Sequence, residues 1–139
     1  MKNIFLILLF SLNVLKIANA QTNYIQYHKE IIRAEQLILA TQMKAALLSY
    51  KNTFDKYPKT FAKDAYIALQ IACMVEDSNM ISYCFKKSVE NGIEWDAIIY
   101  ADYSKNYLNS RIAYQKQLNI QYEADRKNYL QSNDTNLRK

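Results

Sequence analysis

The chain is almost without the residues that favour tight turns, since its 139 positions hold one glycine, Gly92, and one proline, Pro58. Strand-rich folds need many turns, and turns draw on glycine, proline, asparagine and aspartate. Apolar residues recur instead at the three- and four-residue spacing of helices. The sequence therefore predicts an all-α fold.

Residues that carry chemistry are also scarce. Histidine occurs once, as His28, and no cysteine or carboxylate stands near it at ligand spacing, so we expect no metal site. One glycine cannot build a phosphate-binding loop. The sequence supports no Ser-His-Asp or Cys-His arrangement. We therefore expect neither an enzymatic activity nor a cofactor.

Cysteine is limited to Cys73 and Cys84, on either side of a turn cluster at 76–79. Helix geometry sets the two residues about one helical turn out of register, whereas a disulfide needs Cα atoms within about 7 Å of each other. Two buried thiols are the favoured interpretation, and an intramolecular disulfide is the alternative.

The N-terminus is strongly apolar. Lys2 precedes an apolar run from Ile4 to Leu12, and Ala18 to Ala20 form a small-x-small cleavage site. This order is typical of a signal peptide, so residues 1–20 are predicted to be removed and the mature protein to be secreted, in the periplasm or outside the cell. An uncleaved anchor is the alternative. The run is shorter than a bilayer core of about 30 Å requires, so we expect no stable membrane insertion after cleavage.

The remaining charge is mildly basic. The chain holds 18 lysine and arginine against 13 aspartate and glutamate, and the loss of Lys2 and Lys16 leaves 16 against 13. A nucleic-acid-binding protein gathers its cations on one face, and the sequence shows no such cluster. Nucleic acid is therefore not expected as a partner.

Two antiparallel helical hairpins are predicted, near residues 24–57 and 61–91. Pro58 ends the first hairpin, because the residue before a proline avoids the helical conformation. Thr60 is predicted to cap the helix that follows. Gly92 is predicted to close the second hairpin in the left-handed conformation.

Less regular segments follow the hairpins. A short apolar segment over 93–103 precedes a long polar helix over 105–131. The tail over 132–139 has no periodic apolar residue, so it is predicted to be disordered. We therefore expect one helical domain over 21–131.

The hairpins repeat each other at a 35-residue period. Apolar or aromatic residues recur at five positions: Ala34, Leu37, Ala46, Tyr50 and Phe54 return as Leu69, Ala72, Ile81, Phe85 and Val89. A period of this length with two helices per repeat indicates a helical solenoid. The segment 34–58 resembles a tetratricopeptide repeat, with Ala34 and Ala46 at its small positions, Tyr50 at its aromatic position and Pro58 at its closing proline.

A second resemblance covers the whole mature chain. It is carried by Ala34-Glu35, Leu37-Ile38, Ala46-Leu47, Tyr50, Phe54, Phe61 to Asp64, Tyr66, Ala68-Leu69, Ala72 and Gly92. In this order they are similar to exported helical proteins of unknown function from Bacteroidetes-type bacteria, in which two repeat-like hairpins precede a C-terminal domain. The resemblance implies no known activity. It leaves open that the chain is a fragment without its functional C-terminal domain.

The likeness to repeat proteins implies that the first helix of each hairpin lines a groove for a peptide or helix. Carried onto this sequence, it assigns seven residues to the groove: His28, Ile31, Glu35, Ile38, Lys63, Tyr66 and Gln70. We therefore expect a noncatalytic interaction module that binds another polypeptide, with Tyr66 as the anchor. The final helix filling the groove as a cap is one alternative, and a small secreted enzyme or inhibitor is another.

Overall fold

The described part of the chain contains seven helices and no strand, so the all-α prediction is confirmed. The structure, a computed structural model, describes residues 23–57 and 59–137, and side chains up to residue 133. The predicted signal peptide and Pro58 lie outside the described residues. The helices are α1 over 23–39, α2 Met43–Lys56, α3 Ala62–Met74, α4 Ser78–Glu90, α5 Trp95–Ile99, α6 Asp102–Asn109 and α7 Ile112–Leu137.

Helices α1 and α2 form the first hairpin, and polar contacts join the start of α1 to the end of α2. The Lys56 ammonium donates to the Glu30 carboxylate at 2.5 Å, and the Tyr57 hydroxyl donates to the same oxygen at 3.3 Å. The rings of Tyr27 and Tyr57 meet edge to face, with their centroids 5.5 Å apart. The two helices are therefore antiparallel, as the sequence predicts.

Helices α3 and α4 form the second hairpin across a three-residue turn. Asp77 caps α4, because its carboxylate accepts the backbone N–H of Met80 at 3.1 Å. The prediction that Thr60 caps α3 is wrong. Phe61 holds the N-cap position of α3, and the Thr60 hydroxyl accepts instead from the Asn91 side-chain amide at 2.8 Å. This bond joins the start of α3 to the end of α4.

Gly92 ends the second hairpin with φ of 86°, which confirms the predicted left-handed cap. Its N–H donates to the Val89 carbonyl at 2.9 Å, and the Ile93 N–H donates to the Ser88 carbonyl at 3.0 Å. These bonds satisfy carbonyls that the helix end would leave unpaired. The chain thereby turns away from α4 toward α5.

The long polar helix predicted over 105–131 is two helices, α6 and α7. The break falls at Ser110 and Arg111, whose side chains both donate to the Tyr107 carbonyl, at 3.0 and 3.2 Å. Side chains that bond the backbone compete with the helical pattern. Beyond the break, α7 continues to Leu137, six residues past the predicted boundary at 131.

The last two helices extend the layers of the hairpins, since α6 packs against α3 and α7 against α4. Small residues without exposed surface allow close helix contacts: Ala34, Ala46, Ala65, Ala68 and Ala72. Tyr50 and Phe85, which the 35-residue period equates, are both fully buried. The recurrence thus marks equivalent core positions, while membership of the tetratricopeptide class stays a prediction.

Candidate binding groove

An apolar groove of about 320 Å³ opens where the end of α1 and the start of α2 meet α3 and α6. It is lined by Ile38, Met43, Tyr66, Ile67, Gln70, Ile71, Met74 and Tyr103. Five of these eight residues come from α3. The helical repeat of α3 places Ile67, Ile71 and Met74 in a row along the groove, because residues three and four apart share a helix face.

Two polar side chains of the groove, Gln70 and Tyr66, form hydrogen bonds within the chain. The Gln70 amide nitrogen donates to the Ser104 hydroxyl at 3.2 Å, and the Ser104 backbone N–H donates to the Gln70 carbonyl oxygen at 3.2 Å. The Tyr66 hydroxyl donates to the Ala97 carbonyl at 3.3 Å. The surface that the groove presents to a ligand is therefore mainly aliphatic, thioether and aromatic.

A polar cleft of about 210 Å³ adjoins the groove, and Met74 and Tyr103 line both. Its charged groups are Arg111 and Glu76, whose side chains form an ion pair at 2.7 Å. The Arg111 guanidinium also lies over the Tyr107 ring, 4.0 Å from its centroid. The ion pair joins the residue before α7 to the α3–α4 turn, and the stacking joins it to α6.

The structure brings three of the seven predicted site residues together in the groove: Ile38, Tyr66 and Gln70. Ile31 does not line it, because its side chain is buried in the core between the helices. Lys63 is exposed on the first turn of α3, and Glu35 is half-buried on α1. Neither residue belongs to the groove lining.

His28 is enclosed by aromatic rings at the start of α1. Its ring centroid lies 4.3 Å from that of Tyr24, 5.5 Å from that of Tyr27 and 5.3 Å from that of Phe61. Its Nε2 is buried and has no hydrogen-bond partner among the described residues. His28 therefore packs as a ring against the start of α3 and lies outside the groove.

Cys73 and Cys84 are buried, free thiols. Burial raises the pKa of each thiol to about 12. Because the thiolate is the nucleophilic form of cysteine, neither side chain is activated at neutral pH.

Sequence reasoning missed five residues of the groove: Met43, Ile67, Ile71, Met74 and Tyr103. Two of them carried a signal, since Ile67 and Ile71 form a second apolar side of α3 in addition to its core stripe. The alternative in which the final helix fills the predicted groove stays open, because α6 packs against α3 and Ser104 of α6 bonds Gln70. Tyr103 of α6 lines the groove, and none of the described α7 side chains does.

Over residues 23–57 and 59–137, no three histidine, cysteine, aspartate or glutamate side chains lie close enough together to hold a metal ion. In the same described ranges, no helix combines the length and the apolar character needed to cross a membrane. No protein-family model matches the chain, and neither a curated protein nor a solved structure is significantly similar to it.

Proposed function

We propose that this protein is an exported, noncatalytic interaction module of helical-repeat type that binds another polypeptide through the apolar groove. The observation that carries the proposal is the composition of the groove. Ile38, Met43, Ile67 and Met74 present apolar surface in a concave site, while Gln70 is held by Ser104. Concave apolar surface that stays open to water is typical of interaction sites.

The chemistry of the groove favours a polypeptide side chain over a small molecule. Sites for small molecules span roughly 300–1,000 Å³ and use a few free polar groups to orient the ligand. This groove is at the small end of that range, and Gln70 and Tyr66 already bond within the chain. It therefore suits one or two large apolar side chains of a longer partner.

The partner is proposed to bind as a helix. The described residues contain no strand whose edge an extended peptide could join, whereas apolar grooves between helices accept the apolar face of an amphipathic helix. Met43 and Met74 lie in different helices of the groove lining. Because methionine is flexible and polarisable, they allow the groove to accept several anchor side chains.

The absence of catalysis is part of the proposal, and it is supported by the state of the most reactive groups. His28 is packed among three aromatic rings. The raised pKa values of Cys73 and Cys84 keep both thiols protonated at neutral pH. A nucleophile needs an adjacent base or a lowered pKa, and neither thiol has a lowered pKa.

The binding proposal is tested by selecting helical peptides from a displayed library against the purified protein. Selected peptides are expected to lose affinity for the Met74→Asp and Ile67→Asp variants, which place a charge in the groove. The Leu130→Asp variant is the control, because Leu130 is exposed on α7 away from the groove. Peptides that bind all four proteins equally would contradict the groove assignment, as would a selection that enriches none.

The export proposal is tested separately by intact-mass spectrometry of protein recovered from the cell envelope or the medium. Cleavage after Ala20 is expected, because Ala18 and Ala20 form the small-x-small site that signal peptidases accept. A mass that includes residues 1–20 would contradict cleavage and favour the N-terminal anchor.

A further inference from the structure

The apolar groove and the polar cleft beside it share two lining residues, Met74 of α3 and Tyr103 of α6. The groove side of this shared wall is apolar, and the cleft side holds the ion pair of Arg111 and Glu76. A helix that places an apolar side chain in the groove therefore sets its neighbouring turn beside a charged pair. Which of the two charges is fixed decides the chemistry of the partner that fits.

Arg111 is held in place by contacts that do not involve Glu76. Its guanidinium lies 4.0 Å from the centroid of the Tyr107 ring, and its Nη1 donates to the Tyr107 carbonyl at 3.2 Å and to the Ser110 hydroxyl at 2.9 Å. With the bond from Nη2 to Glu76, these contacts use three of the five N–H groups of the guanidinium. The cation is therefore fixed before a partner binds and keeps N–H groups for another acceptor.

Glu76 is the less constrained member of the pair. Its side chain is 63% exposed, against 37% for Arg111, and it lies in the turn between α3 and α4. An exposed ion pair contributes little to stability, because it forms in water and costs side-chain freedom. A carboxylate from a partner can therefore share the Arg111 guanidinium with Glu76 or replace Glu76 there, whereas a cation from a partner would be repelled by Arg111.

The position of the guanidinium sets the spacing expected in the partner. Tyr103 and Tyr107 are four residues apart on α6, so they share a helix face and are separated by about 6 Å along the axis. The guanidinium stacks on Tyr107 and so lies about one helical turn beyond the wall that the groove and the cleft share. In a bound helix, the same distance separates residues three or four positions apart.

We propose that the partner helix carries an aspartate or glutamate three or four residues from the apolar side chain that fills the groove, and that Arg111 binds this carboxylate. The inference rests on the proposed function, because the groove must hold the helix. Arginine suits this contact, since its planar guanidinium can bind a carboxylate through two parallel N–H groups. Arg111 thereby selects acidic partners, while Met74 and Ile67 supply apolar contact.

The experiment is a selection of displayed helical peptides in which the positions three and four residues on either side of the apolar anchor are randomised. Aspartate and glutamate are expected to be enriched at one of these positions on the wild-type protein and not on Arg111→Gln. A selected acidic peptide should bind Arg111→Gln about fivefold more weakly, which is the size expected for an exposed ion pair. The same peptide with the amide in place of the acid should bind both proteins alike. Glu76→Gln should bind the acidic peptide about two- to threefold more tightly, because it removes the competing carboxylate.

Arg126→Gln is the matched control. Arg126 also lies over a tyrosine ring, that of Tyr122, and also pairs with a glutamate, Glu94, but it lines neither the groove nor the cleft. It should bind the acidic peptide as wild type does. Circular dichroism and a melting curve establish that each variant is folded. If Arg111→Gln does not fold, the acidic and amide peptides compared on wild type and Glu76→Gln test the inference.

The outcomes separate this inference from the proposed function. Peptides that bind wild type, lose affinity for Met74→Asp and show no preference for an acidic residue would overturn the inference and leave the groove in place. Enrichment of lysine or arginine that disappears on Glu76→Gln would also overturn it, because Glu76 would then be the residue that selects the partner. Peptides that bind Met74→Asp as tightly as wild type would overturn both proposals.

Discussion

The hydroxyl of Tyr27 on α1 donates to the carboxylate of Asp64 on α3 at 2.7 Å. The same phenol oxygen accepts the backbone N–H of Phe61 at 3.2 Å. Burial and the bond to Asp64 raise the pKa of Tyr27, so the hydroxyl remains a donor at physiological pH. Asp64 is only 5% exposed, and Tyr27 therefore supplies a hydrogen bond to a carboxylate that little water reaches.

Tyr27→Phe is expected to lower the free energy of unfolding by about 1–3 kcal/mol, because it leaves a buried carboxylate oxygen and a backbone N–H without their partner. Chemical denaturation measures the change. Tyr24→Phe is the matched control, since Tyr24 lies one turn earlier and is more than half exposed. An equal effect of the two substitutions would contradict the assigned role.

Tyr50→Phe is expected to change the free energy of unfolding in the direction opposite to Tyr27→Phe. The Tyr50 side chain is fully buried, and its hydroxyl has no hydrogen-bond partner among the described residues. Removing an unsatisfied buried hydroxyl should raise the free energy of unfolding by about 1 kcal/mol. A loss of stability in the same denaturation assay would instead indicate that a buried water satisfies this hydroxyl.

Gly92→Ala is expected to destabilise the protein for two reasons. The left-handed conformation at φ of 86° costs a non-glycine residue about 1–2 kcal/mol. A Cβ at this position would also lie 3.1 Å from the Tyr129 hydroxyl oxygen. In a protein that already carries Tyr129→Ala, Gly92→Ala should lower the free energy of unfolding only by the cost of the left-handed backbone conformation. Identical costs in both backgrounds would show that the contact with Tyr129 adds nothing.

Ala46→Arg is expected to reduce stability by at least about 3 kcal/mol, because Ala46 has no exposed surface and an arginine there would bury an unpaired charge. Ala45→Arg is the control on the same helix, where the side chain is exposed. Thermal melts followed by circular dichroism should separate the two variants clearly. Similar melting temperatures of the two variants would mean that α2 is rotated about its axis relative to the orientation described here.

Tyr66→Ala is expected to weaken binding of a groove-selected peptide about 30-fold, which corresponds to about 2 kcal/mol for a binding anchor. Tyr66→Phe keeps the ring and loses only the bond to the Ala97 carbonyl, so it should bind nearly as wild type does. Isothermal titration measures both. If the two variants bind alike, the ring of Tyr66 is not the anchor.

Three of the seven predicted site residues line the groove and four do not, because helical periodicity identifies apolar faces without identifying what covers each one. Ile31 and Ile38 are seven residues apart on α1, and the sequence assigned both to the groove. In the structure Ile31 is closed off in the core, while Ile38 stays half-buried at the groove edge. The difference depends on where α2 and α3 cross α1, and these crossings are set by contacts between residues far apart in the chain.

The sequence by itself determined the features that depend on neighbouring residues: the helical periods of the two hairpins, a turn near Glu76 and Asp77, and the left-handed end at Gly92. These follow from local backbone and side-chain preferences, which act within a few residues. Tertiary structure decided the packing of α6 beside α3, the packing of α7 against α4 and the pairing of Gln70 with Ser104. Each depends on which helices meet, because a side chain is enclosed only when a distant segment packs over it.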